Sequence, residues 1–111
     1  YNWTQTGIFK PDGGYYLDLE KIKKIDNYYY VWVLQDFGSN KFEPYKSSIT
    51  YQKLDCKLRR MLILEIFGIK EKMGEGSHIP LSIPEKWMYP PPGTFGTDML
   101  NIVCKNQREK F

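Results

Sequence analysis

Tyr28-Tyr29-Tyr30-Val31-Trp32-Val33-Leu34-Gln35-Asp36-Phe37 decides the fold. The run is aromatic and β-branched, with a single charge at Asp36, which is the composition of a strand. Alternation places Tyr28, Tyr30, Trp32 and Leu34 on one face and Tyr29, Val31, Val33 and Gln35 on the other. Both faces are largely apolar, so this strand is expected at the centre of a sheet. Gly38-Ser39-Asn40 closes it and Asp26-Asn27 precedes it as a turn.

Upstream, residues 3–9 and 15–18 read as short strands around Pro11-Asp12-Gly13-Gly14. There proline fixes one dihedral and glycine permits positive φ. Residues 19–24 read as a short polar turn. Downstream, residues 45–56 form a strand rich in Ser, Thr and Ile. Residues 58–68 fit two periods. Leu54, Leu58, Met61 and Leu62 make a helical stripe, whereas Leu58, Leu62, Leu64 and Ile66 alternate, with Arg60 breaking the pattern. The neighbouring strands need a partner, so a strand is expected, with Cys56 on the face of Leu58 and Leu62. Residues 70–77 are a polar connection. Two prolines keep residues 79–84 out of any central strand. Pro90-Pro91-Pro92-Gly93 is stiff and extended. Thr94 or Thr97 then caps a final helix with the stripe Met99, Leu100, Val103 and Cys104, and residues 105–111 read as a charged, fraying tail. Several strands, a proline-rich crossover and one C-terminal helix make an α+β domain spanning residues 1–111.

The 111 residues suit one domain, and no stretch approaches the ~20 apolar residues of a membrane span. The net charge of +3 comes from dispersed groups such as Lys21, Lys23, Lys24 and Lys57, Arg59, Arg60. They read as solvated faces rather than a nucleic-acid stripe. Tyr28, Tyr29 and Tyr30 alternate across the sheet, which argues against one stacking platform for bases. The chain begins without methionine, as a processed or trimmed chain does. Cys56 and Cys104 form no C-x-x-C pair. They are either two inert buried thiols or one disulfide of an exported protein.

Little here resembles a catalyst. His78 is the single histidine, which excludes multi-histidine metal sites. Ser47, Ser48 or Ser77 with His78 and Asp55 would supply hydrolase groups, but no nucleophile-elbow pattern accompanies them. The carboxylate pairs Asp18 with Glu20 and Glu71 with Glu75 carry no distinguishing context. Asp55, inside a strand, is expected to pair across the sheet with a Lys or Arg. Met73-Gly74-Glu75-Gly76 has an acid between its glycines and reads as a tight turn, not a phosphate cradle. His78, Met88 and Tyr89 carry no haem attachment motif. No catalytic, cofactor or metal residues are expected.

Scattered elements run in a familiar order. They are Tyr15-Tyr16-Leu17-Asp18 with Ile22-Lys23-Lys24, Tyr30-Val31-Trp32-Val33-Leu34, Tyr45-Lys46-Ser47-Ser48, and Leu54-Asp55-Cys56-Lys57. Arg59-Arg60, Met73-Gly74-Glu75-Gly76, Trp87, Pro91-Pro92-Gly93 and Val103-Cys104 follow. In order and spacing the chain resembles the surface-adhesin protein E family of Gram-negative bacteria, although Glu20-Lys21 stand where a serine is usual. The resemblance implies an antiparallel sheet of about five to six strands with the helix packed on it. It also implies a Cys56–Cys104 disulfide and export to the outer-membrane surface or periplasm, with a lipid anchor in the precursor. The implied role is non-enzymatic binding of host cells or extracellular-matrix proteins. Attention falls on the basic Lys53, Lys57, Arg59 and Arg60, with Tyr45, as partner-binding residues. The alternative is an envelope structural or assembly protein acting as a homodimer without a host ligand.

Overall fold

A computed structural model of the chain describes residues 2–9, 12–39 and 44–109. The strands are β1 (Thr4–Phe9), β2 (Gly13–Leu17), β3 (Lys23–Ile25), β4 (Tyr28–Asp36), β5 (Ser47–Asp55), β6 (Arg60–Ile69) and β7 (Ile79–Leu81). Short 3-10 turns lie at Leu19–Lys21 and Lys72–Gly74, and one helix, α1, spans Phe95–Glu109. All seven strands join one antiparallel sheet in the order β1-β2-β4-β5-β6-β7. β3 pairs with β4 off this path. The α+β arrangement is the expected one, and the two three-residue strands carry too little pattern to be read in advance.

The centrality of β4 follows from its two apolar faces. β5 pairs along its whole length, while β2 and β3 share its other side, at Val33–Asp36 and Tyr28–Tyr30 respectively. On one face Leu17, Tyr29, Val31, Val33 and Leu54 pack under Met99, Leu100, Val103 and Cys104 of α1. The helical stripe read from the sequence is thus the buried one, each full burial contributing about 2 kcal/mol. On the opposite face, at one end, Leu34, Ile49 and Ile69 form a second cluster with Trp3, Tyr16, Trp32 and Met73. The supposedly polar connection therefore does packing as well, because Met73 at φ 56 drops its side chain onto that cluster.

Residues 58–68 resolve largely as strand, beginning at Arg60 and kinked opposite Tyr51/Gln52 by a bulge. Cys56 and Leu58 are not on that strand. They belong to the turn at 56–59, where Leu58 is exposed and Arg59 takes φ 56. The turn forms because the Asp55 carboxylate accepts its backbone N–H groups, a local competition with the ladder that Asp favours. Pro80 sits on an edge strand, as its missing donor requires. The Thr94 and Thr97 hydroxyls both donate to the Pro91 carbonyl (2.7 Å each), fixing the start of α1. The helix continues through the expected tail to Glu109.

Gly13 and Gly14 lie in β2 rather than in a turn, and neither has positive φ. Gly13 serves instead for close approach, since a Cβ there would fall 2.0 Å from the Asp36 carbonyl oxygen. Pro11 and Asn40, read as turn residues, lie outside the described residues.

Candidate functional site

The face of the sheet opposite α1 carries a run of rings. Register places Trp32 beside Tyr51, Tyr30 beside Lys53 and Tyr28 beside Asp55. Trp32 and Tyr51 lie 4.5 Å apart and Tyr30 and Tyr51 6.0 Å, centroid to centroid. The tyrosine triplet does alternate, but Tyr30 joins Tyr51 of β5 and Tyr28 joins Trp87, so a platform forms across strands. Trp87 comes from a segment without periodicity. The paired backbone bonds of Met61 and Met88 (2.9 and 2.8 Å) lay that segment along β6, and the indole reaches Tyr28 at 5.9 Å.

Two cations are set among these rings. Lys53 Nζ stands 4.2 Å from the Tyr28 centroid, 5.8 Å from Trp87 and 5.9 Å from Tyr30. The Arg60 guanidinium lies 4.1 Å over Trp87. Each such contact contributes about 0.5–1 kcal/mol near the surface and, more usefully, holds a flexible cation in one place. Burial, with Tyr30 and Glu65 nearby, pushes the Tyr51 hydroxyl above its ordinary value, so this phenol stays neutral at physiological pH. The result is a half-buried aromatic strip with oriented positive charge, the composition of a protein-recognition surface.

Asp55 organises the end of this strip. Its Oδ1 accepts the N–H groups of Lys57 (3.1 Å) and Leu58 (3.2 Å), and its Oδ2 accepts Arg60 Nε–H at 3.0 Å. The strand carboxylate thus has its cross-strand cation. Burial alone would raise this carboxyl, but the Leu58 N–H, the Arg60 guanidinium and the Lys57 N–H outweigh it and hold it below the ordinary 3.8. A depressed folded value stabilises above the unfolded pKa and ceases to do so as pH falls through the folded one. Asp55→Asn is therefore expected to cost about 1–2 kcal/mol at neutral pH, with the deficit shrinking as both proteins are melted at successively lower pH below the ordinary carboxylate range. A deficit that does not change with pH would contradict this role.

The proposed partner residues are divided between places. Lys53 and Arg60 belong to the ring face. Lys57 and Arg59 stand in the exposed turn, where Arg59 Nη2 donates to Asn101 Oδ1 on α1. Tyr45 is not with them. Its half-buried ring lies against Gly68, at the other end of the β5–β6 pair from Asp55 and Arg60. Nor is Asp55 near His78, which contacts Gly74 and Phe67 beside β7. Sequence reasoning missed Trp87 as a member of the site. The alternation of Tyr28, Tyr30 and Trp32 was the available signal for the rest.

Cys56 and Cys104 are joined as a disulfide, tying the 56–59 turn to α1 across 48 residues of sequence. The sequence that carries this bridge, sheet and helix matches the family of Surface-adhesin protein E over residues 3–105.

The chain belongs to the surface-adhesin protein E family.

Solved structures of Haemophilus influenzae protein E share the fold. One aligns with a TM-score of 0.70 at 18% identity, covering 87% of this chain and 81% of that one. Another, from the non-typeable organism, gives 0.69 at 16% identity over 98% and 88%. No curated protein gives a significant sequence match. Among the described residues of this family member, no helix is long and apolar enough to cross a membrane.

Proposed function

We propose that this protein E family member is an exported, non-enzymatic binding module of the bacterial surface or periplasm. It recognises a protein partner, of the extracellular-matrix or host-cell class, through its ring face. The observation that carries the reading is the fixing of Lys53 and Arg60 among Tyr28, Tyr30 and Trp87. Tyrosine, tryptophan and arginine dominate the energetics of protein interfaces, and rings already packed lose little entropy on binding. The disulfide supports export, since such bridges persist in oxidising compartments. Lys53 and Arg60 favour acidic partner surfaces and make encounter sensitive to salt.

Solid-phase titration on immobilised laminin and vitronectin tests this. Saturable binding that weakens with added salt is expected, and absence of saturable binding to either would count against a host ligand.

A further inference from the structure

Two hairpin tips project from one end of the sheet. The β3–β4 tip turns tightly at Asp26 (φ 57), and the β5–β6 tip turns at 56–59. Register aligns Ile25, Tyr28, Asp55 and Arg60 in one row across the four strands, so the tips are neighbours. Asn27, Tyr28, Lys57 and Leu58 line one shared shallow hollow between them. At these tips stand two large aliphatic side chains in water, Ile25 at 52% and Leu58 at 51% exposure. Exposed cations surround them, namely Lys23, Lys24, Lys57, Arg59 and, from α1, Lys105. Segments 23–27, 53–60 and 101–105 together hold seven Lys and Arg against two acids, in a chain of net charge +3. The remainder of the chain is therefore net negative, so the positive charge is concentrated in these segments. Asp55, one of the two acids, is already engaged by Arg60 and by its own turn.

We propose that this end docks on an anionic lipid surface, with Ile25 and Leu58 entering the headgroup–acyl boundary and the cation collar meeting lipid phosphates. Apolar tips ringed by lysine and arginine match both components of such an interface. A sulfated polysaccharide or nucleic acid would use the cations alone and leave the two aliphatics in water. Both tips are pre-organised. The disulfide and the Arg59–Asn101 bond tie one to α1, and strand pairing holds the other. The docking end borders the ring face at Tyr28, Lys53 and Arg60, but among the described residues Ile25, Leu58, Lys23, Lys57 and Arg59 make no contact with the Trp87 ring that defines that face, so a variant at Trp87 separates the two roles.

Co-sedimentation of the intact protein with phosphatidylcholine vesicles, with and without phosphatidylglycerol, tests the proposal. Binding is expected only with phosphatidylglycerol, and high salt should weaken it by about tenfold or more. Ile25→Ser/Leu58→Ser should lose about tenfold in partitioning while keeping the wild-type melting temperature. Lys23→Glu/Lys57→Glu should abolish sedimentation, and Trp87→Ala should leave it intact. Absence of sedimentation, equal binding to neutral vesicles, or binding indifferent to the Ile25/Leu58 pair would overturn the proposal. So would heparin binding without vesicle binding, which assigns the patch to a polyanion.

Discussion

Opening the Cys56–Cys104 bridge is expected to remove about 4 kcal/mol of stability, a large share of what a small domain has. The bridge closes a loop spanning 48 residues, and loop-closure entropy of the unfolded chain sets the size of the effect. The location adds to it. Cys104 is 5% exposed on the buried stripe of α1, so its loss also loosens helix from sheet. Reduction, or Cys56→Ser/Cys104→Ser, should lower the melting temperature by roughly 15–25 °C. The variant should also lose cooperativity first where α1 meets the 56–59 turn, read as early amide exchange over residues 99–104. A melting temperature within a few degrees of the oxidised protein would contradict the staple.

Gly13→Ala should be nearly as damaging, although it only adds a methyl group. The new Cβ would lie 2.0 Å from the Asp36 carbonyl oxygen and 3.0 Å from the Gly38 nitrogen. Both are backbone, so no rotamer change relieves the clash. The β2–β4 pairing from Gly14↔Asp36 to Leu17↔Val33 would have to shift, carrying Leu17 out of the main core. A loss of about 3 kcal/mol or more is expected from chemical denaturation. Gly93→Ala is a useful contrast, because it changes φ preference at +83° but meets no atom within 4 Å. Its cost should stay near 1 kcal/mol.

The sequence carried the fold wherever periodicity was clean. β4 announced itself through two apolar faces and α1 through Met99, Leu100, Val103 and Cys104, while the prolines of 79–84 excluded a central strand there without revealing the edge strand β7. It was silent where a side chain's role depends on distant chain. Met73 looks polar by context, yet it packs on Leu34 and Ile49 from another element. Leu58 fitted both candidate periods and belongs to neither, because Asp55 draws the following N–H groups into a turn. Of the candidate site, the basic residues were legible as a list but not as a geometry. Lys53 and Arg60 became a pair only when Met61 and Met88 brought Trp87 alongside, a backbone pairing that no local pattern encodes.

In the proposed function the ring face is where a protein partner binds. Binding of wild type and Trp87→Ala to immobilised laminin and vitronectin, with oxidised disulfide and matched folding, tests it most directly. Trp87 touches Tyr28, Lys53 and Arg60, so its loss should release both cations and weaken binding by about thirtyfold. An affinity unchanged by Trp87→Ala would rule out the ring face and move the partner site elsewhere on the molecule.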